Sequence, residues 1–326
     1  MERSMKHTLA MLCQFGLAIL ALNLPIQTTL ANNALIIRGT DSSFDEVVKG
    51  MSEDLEGEVS LTEVLVKKGL SAADVAISFK QNSPDIVIPI GNKAVNLYTK
   101  YQQANSSSEF PPSIAMAALF VDKFVSKLKN ATAIRYEIPA VTSAVAMRTV
   151  LGKPIKRLGV VYRAWMSDII EENKRFCKAE GIDLIGVKLP NKAGKMEDHV
   201  KDALKTLSKN VDALWILNDN SLLTRNALLK AWLPSRGSSD IPAIVGIKQF
   251  MTKIPLGSFA IVPDNYGLGA QAAGMIFEVM ENDWELENTD IQQPVSVKKF
   301  VSVATLKKKG IGYQESKLSS VDEVIR

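Results

Sequence analysis

Cysteine and histidine are scarce in this 326-residue chain, which has two of each. Cys13 and His7 fall near the start, so the body of the chain carries Cys177 and His199 alone. That excludes a disulfide within the body and any zinc site built on clustered cysteines and histidines. His199 stands in MEDHVKDALKTL, a charged helical pattern in which it reads as a solvated surface residue, and Cys177 reads as core. HExxH, GxSxG and the phosphate-binding P-loop are all missing. Nothing therefore supplies an activated nucleophile, a metal cluster or an acid–base pair, so no catalytic residue and no cofactor is expected. Strong charge of one sign is missing too: the net charge is only +4 and is dispersed, which gives no footprint for nucleic acid.

Long apolar runs are nearly absent. One stretches from Leu9 to Leu24, but Asn23 and Pro25 hold it to about 15 residues, short of the roughly 20 that a bilayer span needs. Arg3 and Lys6 precede it and the polar QTTLANN follows, the layout of a secretory signal. With Thr29 and Ala31 at the minus-three and minus-one positions, cleavage is predicted after Ala31 and the mature protein is expected in the periplasm. Cleavage removes two basic residues and one acidic residue, taking the net charge from +4 to +3. Without disulfides the exported chain must rest on its core, for which 46% apolar residues are ample.

The body alternates β-rich runs with amphipathic helical segments. Strands are predicted at 34–38, 59–66, 85–90, 113–119 and 132–136, separated by helices near 43–56, 71–81 and 92–101. After a helix ending near Val150 and a Gly–Pro break in LGKPIKR, the rhythm resumes with strands at 157–162, 183–189, 211–217 and 243–247 and helices at 167–180, 196–209 and 221–232. Strands alternating with helices of this length imply right-handed βαβ units and parallel sheets. The predicted fold is α/β, with two Rossmann-like lobes joined by a hinge. Residues 32–152 plus about 263–290 are assigned to the first lobe, and 153–262 plus about 291–326 to the second. Segments 258–280 and 297–306 read as further crossings, and three crossings make a hinge and a cleft.

Ligands of open parallel sheets bind beyond the carboxyl ends of the strands. Polar or small residues recur at these ends: Asp41 and Ser42, Gly91 and Asn92, the loop bearing Trp165, the turn Asn218-Asp219-Asn220, and Lys248 with Gln249. Helix capping alone accounts for several of them. Asp219 and Asp41 are harder to explain so, because each has neighbours able to cap in its place. Trp165 fits either ligand stacking or packing.

The motifs VVY at 160–162, ILNDNSLL at 216–223, IPAIVGIKQ at 241–249, IVPDNYGLGAQAAGMI at 261–276 and VSVATLKKKGI at 301–311 follow one another in a telling order. With SFDEVVKGMSEDL, SPDIVIPIGNKAV and NATAIRYEIP in the first half, the chain resembles the ABC-transporter substrate-binding proteins of the type I periplasmic binding protein group. It is most similar to the branch typified by tryptophan- and tyrosine-binding proteins. The resemblance spans nearly the whole mature chain and implies two lobes that close on a small organic solute and hand it to a membrane permease. It carries ligand-binding roles onto Asp41, Ser42, Asn92, Tyr136, Trp165, Asp219, Asn220, Asp264 and Tyr266, and implies a monomer. Ala133, Arg135, the YRAWM turn and Asn265 depart from the family pattern and fall in the proposed cleft. Aspartates facing Lys248, with Trp165 and Tyr136 as aromatic walls, suit an amino acid or related amine. A sugar or nucleoside remains an alternative, as does a receptor that reports to a sensor kinase or chemoreceptor instead of a permease.

Overall fold

A computed structural model describes residues 32–326, and the predicted export signal lies outside the described residues. The first sheet is built from β1 (Asn32–Arg38), β2 (Val59–Leu65), β3 (Ile86–Ile90), β4 (Ser113–Ala115) and β5 (Ala131–Ala133), in the order β2-β1-β3-β4-β5. Every pairing in it is parallel. The buried run of β3, IVIPI, shows why: a strand covered on both faces carries β-branched residues without alternation. Helices α1 (Ser43–Asp54), α2 (Ala72–Asn82) and α3 (Asn92–Ala104) make the crossovers, and the short α4 (Asp122–Val125) follows β4.

The second sheet takes β6 (Arg157–Arg163), β7 (Asp183–Leu189), β8 (Ala213–Ile216), β9 (Ala243–Val245), β10 (Phe259–Pro263), β11 (Val297–Ser302) and β12 (Glu323–Ile325). Their order is β12-β11-β10-β9-β8-β6-β7, parallel throughout except where β11 runs against β10. In chain order its helices are α5 (Ala140–Leu151), α6 (Ser167–Ala179), α7 (Met196–Leu207), α8 (Arg225–Ala227), α9 (Leu233–Gly237) and α10 (Gln249–Thr252); α11 (Asn265–Glu281) and α12 (Val303–Lys308) follow. The predicted helix at 221–232 starts later, because Thr224 caps it with its side-chain oxygen on Ala227 N and residues 219–223 form a turn instead. One turn of wide helix, Leu228–Trp232, joins α8 to α9. Among the described residues no helix is long and apolar enough to cross a membrane.

The lobe boundary differs from the sequence reading. Helix α5 had been assigned to the first lobe, which was to end at residue 152. Its Ala144, Met147 and Val150 are instead buried with Leu158, Val160 and Ile244 of the second sheet. The first crossing is therefore the short segment 134–139. Helix α11 returns to the first sheet, where Leu268, Ala272 and Ile276 are buried with Val47 and Met51 of α1. Two glycines make that contact possible. A Cβ on Gly50 would lie 2.1 Å from the carbonyl oxygen of Tyr266, and one on Gly269 would lie 2.0 Å from that of Val47. The two backbones touch, as only glycine permits. The chain crosses back after Gln292, which bridges to Ile134, and before β11. Three crossings do join the sheets, and 297–306 lies just beyond the third rather than on it.

Candidate functional site

The carboxyl ends of β1 and β3 face the loops after β9 and β10 across a cleft of about 960 Å³. Asp41, Phe44, Glu46, Asn92 and Lys93 line it from the first sheet, Lys248, Gln249, Lys298 and Phe300 from the second, and Tyr136 from the crossing segment. Carboxylates and Lys93 thus stand on one wall opposite Lys248 and Lys298 on the other, with aromatic rings on both.

Four of the predicted site residues meet here, and local bonding fixes Asp41, Asn92 and Lys248. Asp41 accepts hydrogen bonds from Ser43 N at 2.9 Å and Ser43 Oγ at 2.5 Å, which hold its carboxyl below the usual range and cap α1. Asn92 uses its amide on the loop after β4, donating to Leu119 O at 2.8 Å and accepting from Leu119 N at 3.0 Å. Tyr136 sits on the crossing segment, where burial, then the nearby Glu137 and Asp41 charges, push its phenol upward. Lys248 pairs with Glu323 at 2.5 Å and lies 5.0 Å from the ring centre of Phe300.

The other six lie elsewhere. Ser42 is exposed beside Asp41 and lines no part of the cleft. Trp165 packs edge-on against Phe120 with ring centres 5.1 Å apart, and Lys123 Nζ stands 4.3 Å from its ring centre. Asp219 is buried, and Arg163 grips it through two hydrogen bonds of 2.6 and 2.9 Å while Ser221 N donates to it at 2.8 Å. Its surplus carboxylate answers a cation on the neighbouring strand. Asn220 is exposed. Asp264 pairs with Lys298 at 2.9 Å at the second crossing. Tyr266 is exposed and donates to Glu53 at 2.6 Å on the far side of the α1–α11 contact.

Sequence reasoning missed the residues at the floor of the cleft. Beneath Tyr136 and Gly246 lies a small cavity of about 20 Å³, also lined by Glu137, Ser143 and Asn218. Burial pushes the Glu137 carboxyl up to about 7, against the opposing bond it accepts from Phe120 N at 2.9 Å. Ser143 Oγ and Asn218 Oδ1 are buried with no hydrogen-bond partner among the described residues. Leaving such a group unpaired costs about 1–3 kcal/mol. Next door, Arg135 binds Asp122 of α4 at 2.6 Å and Glu172 of α6 at 3.0 Å, so this departure from the family pattern ties the two lobes together. The signal for this floor was RYEIP itself, a carboxylate set among apolar residues in a crossing segment. Among the described residues no three His, Cys, Asp or Glu side chains are grouped to hold a metal ion.

A family model described as ABC transporter substrate binding protein matches residues 40–325. The fold is similar to that of an ABC domain from Streptococcus pneumoniae in complex with L-Trp, at 20% identity and TM-score 0.54, covering 90% of this chain and 100% of that one. It is also similar to a ligand-free, open substrate-binding protein with adhesive properties from Clostridium difficile, at 13% identity and TM-score 0.62, covering 90% and 99%. A conserved domain protein from Vibrio cholerae matches at 16% identity and TM-score 0.56, with the same coverage of both chains. No curated protein matches the sequence.

Proposed function

Because the chain belongs to the ABC transporter substrate-binding protein family, we propose that it captures a small organic solute, an amino acid or related amine, between its lobes and delivers it to a membrane permease. The export signal read in residues 1–31 puts that role in the periplasm. The observation that carries the reading is the cleft itself, about 960 Å³ with Asp41 and Glu46 on one wall and Lys248 and Lys298 on the other. A zwitterion suits a cleft that holds both carboxylates and ammonium groups, Lys93 included. Phe44, Tyr136 and Phe300 offer apolar faces to a side chain, the usual composition of a site for a small molecule. The structural relative that holds L-Trp supports the same class of solute.

Thermal unfolding of the purified protein against amino acids, amines, sugars and nucleosides tests this. A solute at a hundred times its dissociation constant should stabilise the folded state by about 2.7 kcal/mol, a shift of a few degrees. The shift should disappear in Tyr136→Ala. A panel in which no solute raises the midpoint would remove solute capture.

A further inference from the structure

The floor of the cleft carries chemistry that the walls do not explain. Ser143 is fully buried and Asn218 is 8% exposed, and an oxygen of each lacks a partner. Both line the 20 Å³ cavity together with Glu137. They come from three places: the crossing segment, the second turn of α5 and the end of β8. Gly246 makes room for the Asn218 amide, since a Cβ there would lie 2.5 Å from Asn218 Nδ2. The cavity shares Tyr136 and Gly246 with the large cleft and so adjoins it there.

Its size and its lining select the group. About 20 Å³ accommodates one water-sized head, since a water needs about 10–15 Å³ by the same measure, and excludes a ring. Among its mostly apolar lining, Glu137, Ser143 and Asn218 carry side-chain oxygens, and one of the three is an acid. A water would satisfy Ser143 and Asn218 beside a protonated Glu137, but it would not compensate the ionised form. A primary ammonium offers three donors and the opposite charge. Resting on the reading of the cleft as a solute site, we propose that Glu137, Ser143 and Asn218 form the subsite that receives the primary ammonium group of the solute.

The surroundings supply no bonded cation, and Arg135 acts on Glu137 only through space. Arg135, on the same segment, is engaged by Asp122 of α4 and Glu172 of α6, and these three are the charged groups beside Glu137. Strands β8, β9 and β10 contribute only apolar residues, Trp215, Ile216, Ile244, Val245 and Ile261, and α5 contributes only Ser143. With its carboxyl near 7, Glu137 is about half protonated at neutral pH, and an arriving ammonium displaces that proton to solvent.

The experiment is calorimetric titration of the purified protein with L-amino acids and aliphatic primary amines, each paired with its N-acetyl and desamino counterparts. Titrations at pH 7 in buffers of different ionisation enthalpy count protons. The free amines should bind at least tenfold more tightly than their blocked partners and release roughly half a proton each. Glu137→Gln keeps an oxygen for Phe120 N, so the fold is preserved. It should weaken amine binding by about tenfold to a hundredfold and abolish the proton release. Asn218→Leu should weaken amines and leave any residual binding of desamino acids unchanged. If blocked and free amines bind alike, or Glu137→Gln keeps the preference, the subsite is wrong and the cleft reading stands. If only sugars or nucleosides bind, the subsite is likewise overturned. If no solute of any class binds, both readings fall.

Discussion

Two carboxyls, Asp219 buried and Glu137 half-buried, have opposite circumstances. At the Arg163 corner, Asp219 is 2% exposed and its oxygens take two bonds from Arg163 and one from Ser221 N. At the cleft floor, Glu137 takes one backbone bond and has no cation bonded to it, and burial pushes it up to about 7. The contrast extends to the turn itself, where Asp219 is saturated while the oxygen of its neighbour Asn218 is unpartnered. A buried charge answered by its own chain maintains the fold. A buried acid left without a cation raises the energy of the unliganded protein and keeps capacity for something from outside.

Breaking the satisfied side should have the largest effect. Asp219→Ala strands Arg163, whose side chain is 16% exposed, and should destabilise the protein by about 3–5 kcal/mol in chemical denaturation, with solute affinity in the folded protein unchanged. Loss of affinity without loss of stability would reverse the assignment.

The unsatisfied side should show in the pH dependence. Glu137 titrates near 7 in the folded chain against 4.5 when unperturbed, so the folded state binds the proton more tightly. Its contribution is fully present below about pH 4.5 and is lost as pH rises through 7, a fall of about 3 kcal/mol at most. Glu137→Gln should remove that part of the slope and leave the unliganded protein more stable than wild type at pH 8, measured by urea midpoints. The smallest effect belongs to Ser143→Ala, which deletes an unpartnered hydroxyl. It should be neutral or stabilising by up to about 1 kcal/mol, where loss of a bonded hydroxyl would cost that much.

The alternation of strands and helices was legible because β-branched runs such as IVIPI and amphipathic helices such as 167–179 have distinct periods. Helix α5 was misassigned because AVTSAVAMRTVL is apolar on nearly every side and does not indicate which sheet it covers. Asp41, Asn92 and Lys248 line one cleft because they stand just after strands or at helix starts on one edge, and Tyr136, named through the family resemblance, joins them from the crossing segment. Asp219 was placed in the cleft because its partner is 56 residues away, on the next strand, where local spacing is silent. Glu137 escaped notice because its significance lies in what fails to surround it, and only packing reveals that. Trp165 was balanced between stacking and packing, and Phe120 decides for packing.

The backbone contact of α1 with α11 has a mechanical meaning. Both helices begin at the cleft, where Asp41, Ser43 and Asn265 line it, and Gly50 and Gly269 lock them together farther along. They form one beam: α11, at 17 residues, carries it about 25 Å outward. A rigid rotation of the first wall would move the far end near Glu281 with it. A fluorophore placed there would report events at the cleft from a distance that leaves the cleft itself untouched.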